Sequence, residues 1–289
     1  MLVDLHLHSY FSDGTHTPAQ AARLAAQRGL GLIALADHNT CAGWRELRNA
    51  CRQEGLLCLR GMEVDCLYTP YEIHILAYGF RPEGRIMELA GRSRQLLLDM
   101  SDDLVDRLIP RYPQLSRAEY DAYRYDPTLG GWKGLHYLHA KGVIPAPEDG
   151  MRLYGQYGCD YRDYPFPAAA EVCSAIREAG GVPVLAHPCN WFDTEQPDAL
   201  ARHLDALREM GIGGIECHYP ANSSAMTRLC KEYCRRHGLL ITAGSDSHGA
   251  FGKNHHGISY YIGAVQVPLE ELELGPLLEC VQGAEKNNS

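Results

Sequence analysis

The chain of 289 residues has no apolar run approaching the about 20 residues that a membrane-spanning helix requires. It also begins directly on a predicted strand instead of a basic segment followed by an apolar one, a pattern that predicts no signal peptide. Its 45% hydrophobic and 22% charged residues are ordinary for a globular protein. We therefore expect a cytoplasmic protein that does not associate with membranes.

The number and spacing of the cysteines do not indicate a disulfide framework. There are 11 of them, an odd number, and no two are arranged as a CxxC pair. Several, such as Cys58, Cys173 and Cys189, stand among apolar neighbours. We expect free, mostly buried thiols in a reducing compartment.

Positive charge is also scarce. The 27 Lys and Arg residues are outnumbered by 36 Asp and Glu residues, and the formal net charge is −9. An extended nucleic-acid-binding surface is therefore not expected. A small phosphorylated substrate is still compatible with this charge, because bound metal ions can reverse it locally.

What the chain does contain is an alternation of short apolar strands with amphipathic helices. Helix boundaries are marked by residues such as Pro18 in a first turn and Gly29 after a last one. Repetition of this kind predicts a parallel sheet with helical crossovers, and the length suits one α/β barrel. The third and fourth strands are predicted as neighbours joined by a tight turn at 69–71. The seven predicted strands are Leu2–His8, Leu32–Ala36, Leu57–Val64, Glu72–Tyr78, Val182–Ala186, Gly214–His218 and Leu239–Ala243.

The alternation is interrupted in the middle of the chain. A long helical pattern begins near residue 85 and is followed by a region rich in Tyr, Gly and Pro that ends near residue 167. We predict a barrel built from residues 1–84 and 168–289, with an inserted, mainly helical lobe at 85–167. Such an insertion can cover the mouth of the barrel at the carboxyl ends of its strands.

Side chains that can bind metal recur at or near the carboxyl end of every predicted strand. In the opening DLHLH, the period of two puts His6 and His8 on the same side of the first strand. Active sites of α/β barrels are assembled at this edge from several strands. The set therefore predicts a metal centre. The other members are Asp37, His38, Glu63, His74, His187, Glu216, His218, Asp246 and His248.

The ordered motifs HxH, SDG, ADHNT, GMEV, EIHI, AHP and GSDSH resemble the polymerase and histidinol phosphatase (PHP) superfamily of metal-dependent phosphoesterases. The resemblance covers roughly residues 1–78 and 171–267. It implies a distorted (β/α)7 barrel, in agreement with the seven strands counted independently. SDGT and a helix starting at TP are most similar to the branch of nucleotide phosphatases and phosphodiesterases.

The resemblance also implies a trinuclear site for two to three divalent ions of Zn, Mn or Fe. We expect Glu63, Asp13 and His38 to act most directly in catalysis. Even with three ligand carboxylates and a bridging hydroxide, the loaded pocket would be net positive by about two charges. The implied ligand sets are His6, His8, Glu63 and Asp246 for one ion, Glu63, His74 and His187 for a second, and Asp13, His38 and His248 for a third.

Substrate contacts are less well indicated. Relatives in this superfamily place an Arg in a Gly-Arg-Pro-His turn, whereas the corresponding LGGWKGLHYLHAKG offers Lys133, which cannot grip a phosphate bidentately. Glu216 and His218 are predicted either to contact substrate or to support the ligands. Asp4 and Asp37 are predicted either to orient imidazoles or to have a structural role at strand ends.

The expected reaction is hydrolysis of a small phosphate monoester by attack of a metal-bridging hydroxide. A nucleotide, either AMP-like or a 3′,5′-bisphosphorylated nucleoside, or the end of an oligonucleotide is the expected substrate. Histidinol phosphate phosphatase is the alternative within the same superfamily, and a non-catalytic, metal-bearing regulatory domain is the alternative from another class. The sequence leaves open the physiological substrate, the native metal, the oligomeric state and whether a side chain acts as general acid.

Overall fold

The computed structural model describes residues 1–251 and 260–282. An eight-stranded sheet in the order β7-β6-β5-β4-β3-β2-β1-β8 forms its centre. The strands are β1 Leu2–Leu7, β2 Leu30–Leu35, β3 Leu57–Tyr68, β4 Tyr71–Tyr78, β5 Val182–Leu185, β6 Gly214–His218, β7 Leu240–Ala243 and β8 Val267–Pro268. The helices are α1 Pro18–Gln27, α2 Trp44–Glu54, α3 Arg85–Leu108, α4 Arg117–Ala122, α5 Lys133–Ala140, α6 Met151–Gln156, α7 Ala169–Glu178, α8 Pro197–Met210, α9 Ser224–His237 and α10 Leu277–Cys280.

The helix boundaries follow the predicted signals. At the start of α1, the Thr17 hydroxyl accepts a hydrogen bond from the Gln20 backbone N–H, while the Gln20 side chain accepts one from Thr17 N–H. Pro18 occupies the first turn, where its missing N–H costs nothing. Gly29 follows the helix with a φ of 75°, a conformation that glycine adopts without steric cost.

The predicted α/β barrel is confirmed, with two corrections to the sheet. β1, β2 and β3 are parallel, as are β5, β6 and β7, but β4 runs antiparallel to both β3 and β5. The short β8 is an eighth strand, antiparallel to β1. The sheet is nearly closed by the residues after β7, where Asp246 N–H donates to His6 O (2.8 Å) and His8 N–H to Ser247 O (3.0 Å).

The first strand is buried on both of its faces. Val3 and Leu5 pack into the main apolar core, whereas Asp4, His6 and His8 point the opposite way and are equally shielded from solvent. Burial of unpaired polar groups is costly, so this second face must supply partners for them. These partners converge at the carboxyl end of the strand.

The segment 85–167 contains α3 to α6 and several short 3-10 turns. The long predicted helix is confirmed as α3, and its second half packs with Tyr120 and Tyr137 in a separate apolar cluster. The division of the chain into barrel and lobe stays a prediction. All 11 cysteines are free. Within residues 1–251 and 260–282, none of the helices combines the length and apolar character needed to cross a membrane.

Candidate metal centre

His6 in β1 and His8, directly after this strand, define the centre. The Nε2 atoms of His6 and His8 lie 3.1 Å apart, and both side chains are buried. Two imidazole nitrogens bound to one tetrahedral ion, with bonds of about 2.05 Å, would stand roughly 3.3 Å apart. The observed separation therefore fits two imidazoles that share a cation.

Glu63 lies between two groups of imidazoles. Its Oε1 is 3.0 Å from His74 Nδ1 and 3.0 Å from His187 Nε2. Its Oε2 is 3.2 to 3.5 Å from the Nε2 atoms of His6, His8 and His38, and it has no hydrogen-bond partner. A buried carboxylate with one oxygen toward each group is arranged as a bridge between two cations.

Asp246 completes the first group from the segment after β7, which lies next to β1. Its Oδ1 is 3.1 Å from His8 Nε2 and 3.5 Å from His6 Nε2, while its Oδ2 accepts a hydrogen bond from the Tyr219 hydroxyl. Asp246 has a φ of 54°, and His187 also has a positive φ. Such strained backbone at two strand ends is typical of functional sites, where it aims side chains inward.

A third group forms around Asp13. Its Oδ2 is 3.3 Å from His248 Nε2 and its Oδ1 is 3.6 Å from His8 Nδ1, without a hydrogen-bond partner for Oδ1. His8 and His248 are stacked with ring centroids 4.0 Å apart. His38 offers a ring nitrogen to the same group. The structure thus brings all nine predicted ligands into overlapping groups of three or four residues, and within each group the ligand-capable atoms lie within 4.8 Å of one another.

These groups fit divalent metal ions. Mixed imidazole and carboxylate donors suit Zn, Mn or Fe, and carboxylate oxygens without hydrogen-bond partners inside a buried site remain free to bind a cation. Which residue binds which ion stays a prediction. A fourth group of His38, Asp65 and His74 contains one residue that the sequence analysis did not single out, Asp65.

The carboxylates dominate the electrostatics of the imidazoles. Burial alone would lower the pKa of His38, but the carboxylates of Asp65 and Glu63 raise it to about 10. Burial is likewise outweighed at His248, where Asp13 chiefly raises the pKa to about 9. Conversely, burial would raise the pKa of Glu63, yet the neighbouring histidines hold it well below its usual range. The centre is therefore a strong attractor for positive charge.

Two buried carboxylates hold the imidazoles from behind. Asp65 Oδ1 lies 3.2 Å from His38 Nδ1 and 3.1 Å from His74 Nε2. Glu216 Oε1 lies 3.0 Å from His6 Nδ1, and its Oε2 accepts a hydrogen bond from the His187 backbone N–H. Carboxylates in this position fix the tautomer and orientation of a metal-binding histidine. Glu216 therefore lies behind His6 and is not part of the cavity lining.

Asp4 and Asp37 have other partners. Asp4 accepts hydrogen bonds from the backbone N–H groups of Ser245 (2.9 Å) and Gly263 (2.7 Å). It therefore has the structural role, anchoring the segments that follow β7. Asp37 accepts from the hydroxyls of Ser9 and Ser12, which fixes the loop after β1 and, through Ser12, approaches His8.

His74 is delivered to the centre in a different way from the one predicted. Because β4 is antiparallel to its neighbours, His74 lies toward the amino-terminal half of its strand, at the edge where the parallel strands end. It pairs across the ladder with Asp65, so the two side chains are direct neighbours. The prediction of a carboxyl-terminal position is wrong for this strand.

Lys133 and His218, both predicted to contact substrate, are placed elsewhere. The Lys133 ammonium lies 4.4 Å from the centroid of the Tyr120 ring and donates to Asp121 O. At His218, the ladder between β6 and β7 is irregular, so the alternation that would pair it with Glu216 breaks down. Burial and then the nearby Lys231 lower its pKa. Neither side chain lines the cavity over the centre.

That cavity, of about 510 Å³, will be called the metal cavity. The 85–167 segment supplies part of its wall with Trp132, Met151 and Tyr161. Tyr161 also donates a hydrogen bond to Asp65 (3.3 Å), which connects this segment with the residue behind His38 and His74. Sequence reasoning missed these three residues, since nothing in their local pattern relates them to the strand ends.

Comparisons with known proteins agree with this geometry. The family model for the PHP domain matches residues 4–144. The chain is 32% identical over 273 residues to phosphoribosyl 1,2-cyclic phosphate 1,2-diphosphodiesterase of Eggerthella lenta, covering 89% of this chain and 97% of that one. It is 27% identical to the 3′,5′-nucleoside bisphosphate phosphatase of Chromobacterium violaceum, over 85% of this chain and 87% of the relative. A solved structure from Bifidobacterium adolescentis, of a protein proposed to be a metal-dependent phosphoesterase, superposes with a TM-score of 0.73 at 28% identity, covering 93% of each chain.

Proposed function

This chain belongs to the PHP superfamily of metal-dependent phosphoesterases, and from that premise we propose that it hydrolyses a small phosphate monoester, most specifically that of a nucleotide. The observation that carries the proposal is the convergence of nine ligand-capable side chains, Glu63 among them, seven of which line a cavity of about 510 Å³. By their names, the two relatives act on a phosphoribosyl 1,2-cyclic phosphate and on a 3′,5′-nucleoside bisphosphate, and both names support a nucleotide-like substrate.

Nine side chains would bind the metal ions directly. His6, His8 and Asp246 would hold one ion, and Glu63 would bridge it to a second held by His74 and His187. A third group of Asp13, His38 and His248 completes the set. When bound, divalent ions at such a site neutralise phosphate charge and activate water near neutral pH.

The supporting residues would make the site rigid before substrate arrives. Asp65 and Glu216 are both fully buried, and their carboxylates lie 3.0 to 3.2 Å from ring nitrogens of His6, His38 and His74. Preorganised groups of this kind stabilise charge in the transition state without paying for reorganisation during the reaction. The wall from the 85–167 segment would limit the access of bulk water to the bound ester.

A second candidate is a phosphatase acting on histidinol phosphate. It is favoured by the carboxylates of Glu72 and Glu148 on the wall of the metal cavity, which would attract an amine-bearing substrate. The two candidates share the metal chemistry and differ only in the group attached to the phosphate.

The test is phosphate release by the metal-loaded enzyme from AMP, 3′,5′-bisphosphorylated adenosine, histidinol phosphate and an aryl phosphate. We expect the highest kcat/KM for a nucleotide and a loss of turnover after chelation. A preference for histidinol phosphate would select the second candidate. No phosphate release from any of the four, with Mn or Zn supplied, would contradict the proposal of a phosphatase.

A further inference from the structure

A second cavity of about 520 Å³ adjoins the metal cavity, and we call it the annex. Glu72 connects the two, since it lines both, and its carboxylate lies 3.5 Å from His74 Nε2 in the metal centre. The two cavities therefore lie side by side, and the annex is next to the space above the metal centre. The wall residues shared by the two cavities are Glu72, Trp132, Glu148, Asp149, Met151 and Tyr161.

Much of the wall of the annex is apolar or aromatic. Leu97 and Met100 of α3 are buried residues of its lining. Trp132, Tyr154 and Tyr161 add aromatic side chains to the same cavity. A cavity of this size with apolar and aromatic walls and a few polar groups is typical of small-molecule sites, and aromatic walls favour stacking with planar rings.

The charge of the annex is unfavourable for a phosphate. Four carboxylates line it: Asp160, which is paired with Arg162 at 3.0 Å, and Glu72, Glu148 and Asp149, which also line the metal cavity. Within the described residues, Arg152 is the one Lys or Arg side chain in the lining of either cavity. Carboxylates accept hydrogen bonds from N–H groups and repel anions, so the annex selects for a ring that carries donors and against a second phosphate.

We propose that the annex binds the planar, N–H-bearing ring of a substrate that has a single phosphate, while that phosphate lies in the metal cavity. This inference rests on the proposed function and narrows its substrate class. A nucleobase with an exocyclic amino group and the imidazole-bearing group of histidinol phosphate share this chemistry. A 3′,5′-bisphosphorylated nucleoside, in contrast, would bring a second phosphate toward the carboxylates.

Gly155 in α6 offers a direct way to fill the annex. It lines the cavity, and a Cβ built on it would meet only Asp160 Oδ2, at 3.9 Å, so the first atom of a larger side chain has open space. Gly155→Leu should also favour the helix, because leucine is a better helix former than glycine. Gly91→Leu is the matched control, since Gly91 is helical, exposed, free of neighbouring atoms within 4 Å and outside both cavities.

The experiment measures kcat/KM of the metal-loaded parent and of both variants for AMP, histidinol phosphate, 3′,5′-bisphosphorylated adenosine and ribose 5-phosphate. We expect Gly155→Leu to lose about tenfold or more, equivalent to about 1.4 kcal/mol, on the preferred ring-bearing monophosphate and little on ribose 5-phosphate. Gly91→Leu should match the parent on every substrate. If the selective loss of kcat/KM is seen with AMP, the annex binds a nucleobase. If it is seen with histidinol phosphate, the annex binds the imidazole ring of that substrate.

Calorimetric binding of adenosine and of histidinol separates the annex from catalysis. Binding of one of them to the parent, weakened in Gly155→Leu and kept in Gly91→Leu, would support the annex even if no substrate were hydrolysed and the proposed function failed. Equal losses on ribose 5-phosphate and on the ring-bearing substrates would overturn the inference. The inference would also be overturned if Gly155→Leu kept the kcat/KM of the parent on every substrate. A parent enzyme with a higher kcat/KM for the bisphosphorylated nucleoside than for AMP would overturn it as well.

Discussion

Replacing Glu63 by Gln should abolish most of the activity, because this carboxylate faces five imidazoles at once. Its Oε1 stands 3.0 Å from two ring nitrogens and its Oε2 stands 3.2 to 3.5 Å from three others. Gln keeps the shape but removes the negative charge and points an NH₂ group at one of these sets. Two cations would then lose their common ligand.

The expected loss of activity can be taken from other enzymes in which one charge-stabilising group was removed. Removal of one preorganised charge-stabilising group costs about 10² to 10³ in rate, or about 2.7 to 4 kcal/mol. We therefore expect kcat/KM of Glu63→Gln to fall at least about a hundredfold on the best substrate. The metal content should fall in parallel, since the bridging position is shared by two of the groups.

The assay compares steady-state phosphate release and metal content of Glu63→Gln with those of Glu88→Gln. Glu88 is exposed in the first turn of α3, so its replacement makes the same chemical change away from the centre. The control should retain both activity and metal. Activity like that of the unmodified enzyme in a metal-loaded Glu63→Gln protein would refute the assignment of Glu63 as the bridge.

Three further predictions concern the surroundings of the centre. Asp65→Asn should weaken metal affinity by about ten- to hundredfold while circular dichroism stays unchanged, and unaltered affinity would show that Asp65 does not orient the rings. Because His38 and His248 have pKa values of about 10 and about 9, metal added to the metal-free protein at pH 7 should displace protons. The affinity for metal should then fall as the pH is lowered. The same heat of metal binding in buffers of different ionisation enthalpy would mean that no proton is released and would contradict the prediction. Lys133→Ala should change kcat/KM by less than about twofold, since its ammonium faces Tyr120, and a tenfold loss would place it at the substrate after all.

Period-two alternation was enough to predict the face of β1 that carries His6 and His8. It relies only on local geometry, which a strand enforces wherever it forms. The same rule could have found Asp65, two residues after Glu63, but β3 was predicted to end at Val64. In the structure β3 continues to Tyr68, and the extension is stabilised by pairing with β4, a contact between strands that the local pattern does not contain.

The direction of β4 and the placement of His218 and Lys133 show where local patterns are insufficient. The tight turn between β3 and β4 was recognised, yet its consequence, a reversed strand that still delivers His74 to the same edge, follows only from the pairing on both sides. His218 is displaced by an irregularity in the β6–β7 ladder. The position of the Lys133 side chain depends on how the 85–167 segment packs over the barrel. That packing involves residues far apart in the chain.

Metal content measured together with activity tests the central claim most directly. Purified protein, loaded with Mn or Zn and freed of excess ions, should contain about two to three equivalents per chain, because the ligand groups overlap at Glu63. Chelation should remove phosphate release, and the same metal should restore it. Less than one equivalent after loading, with no gain in activity, would contradict a metal centre built from these residues.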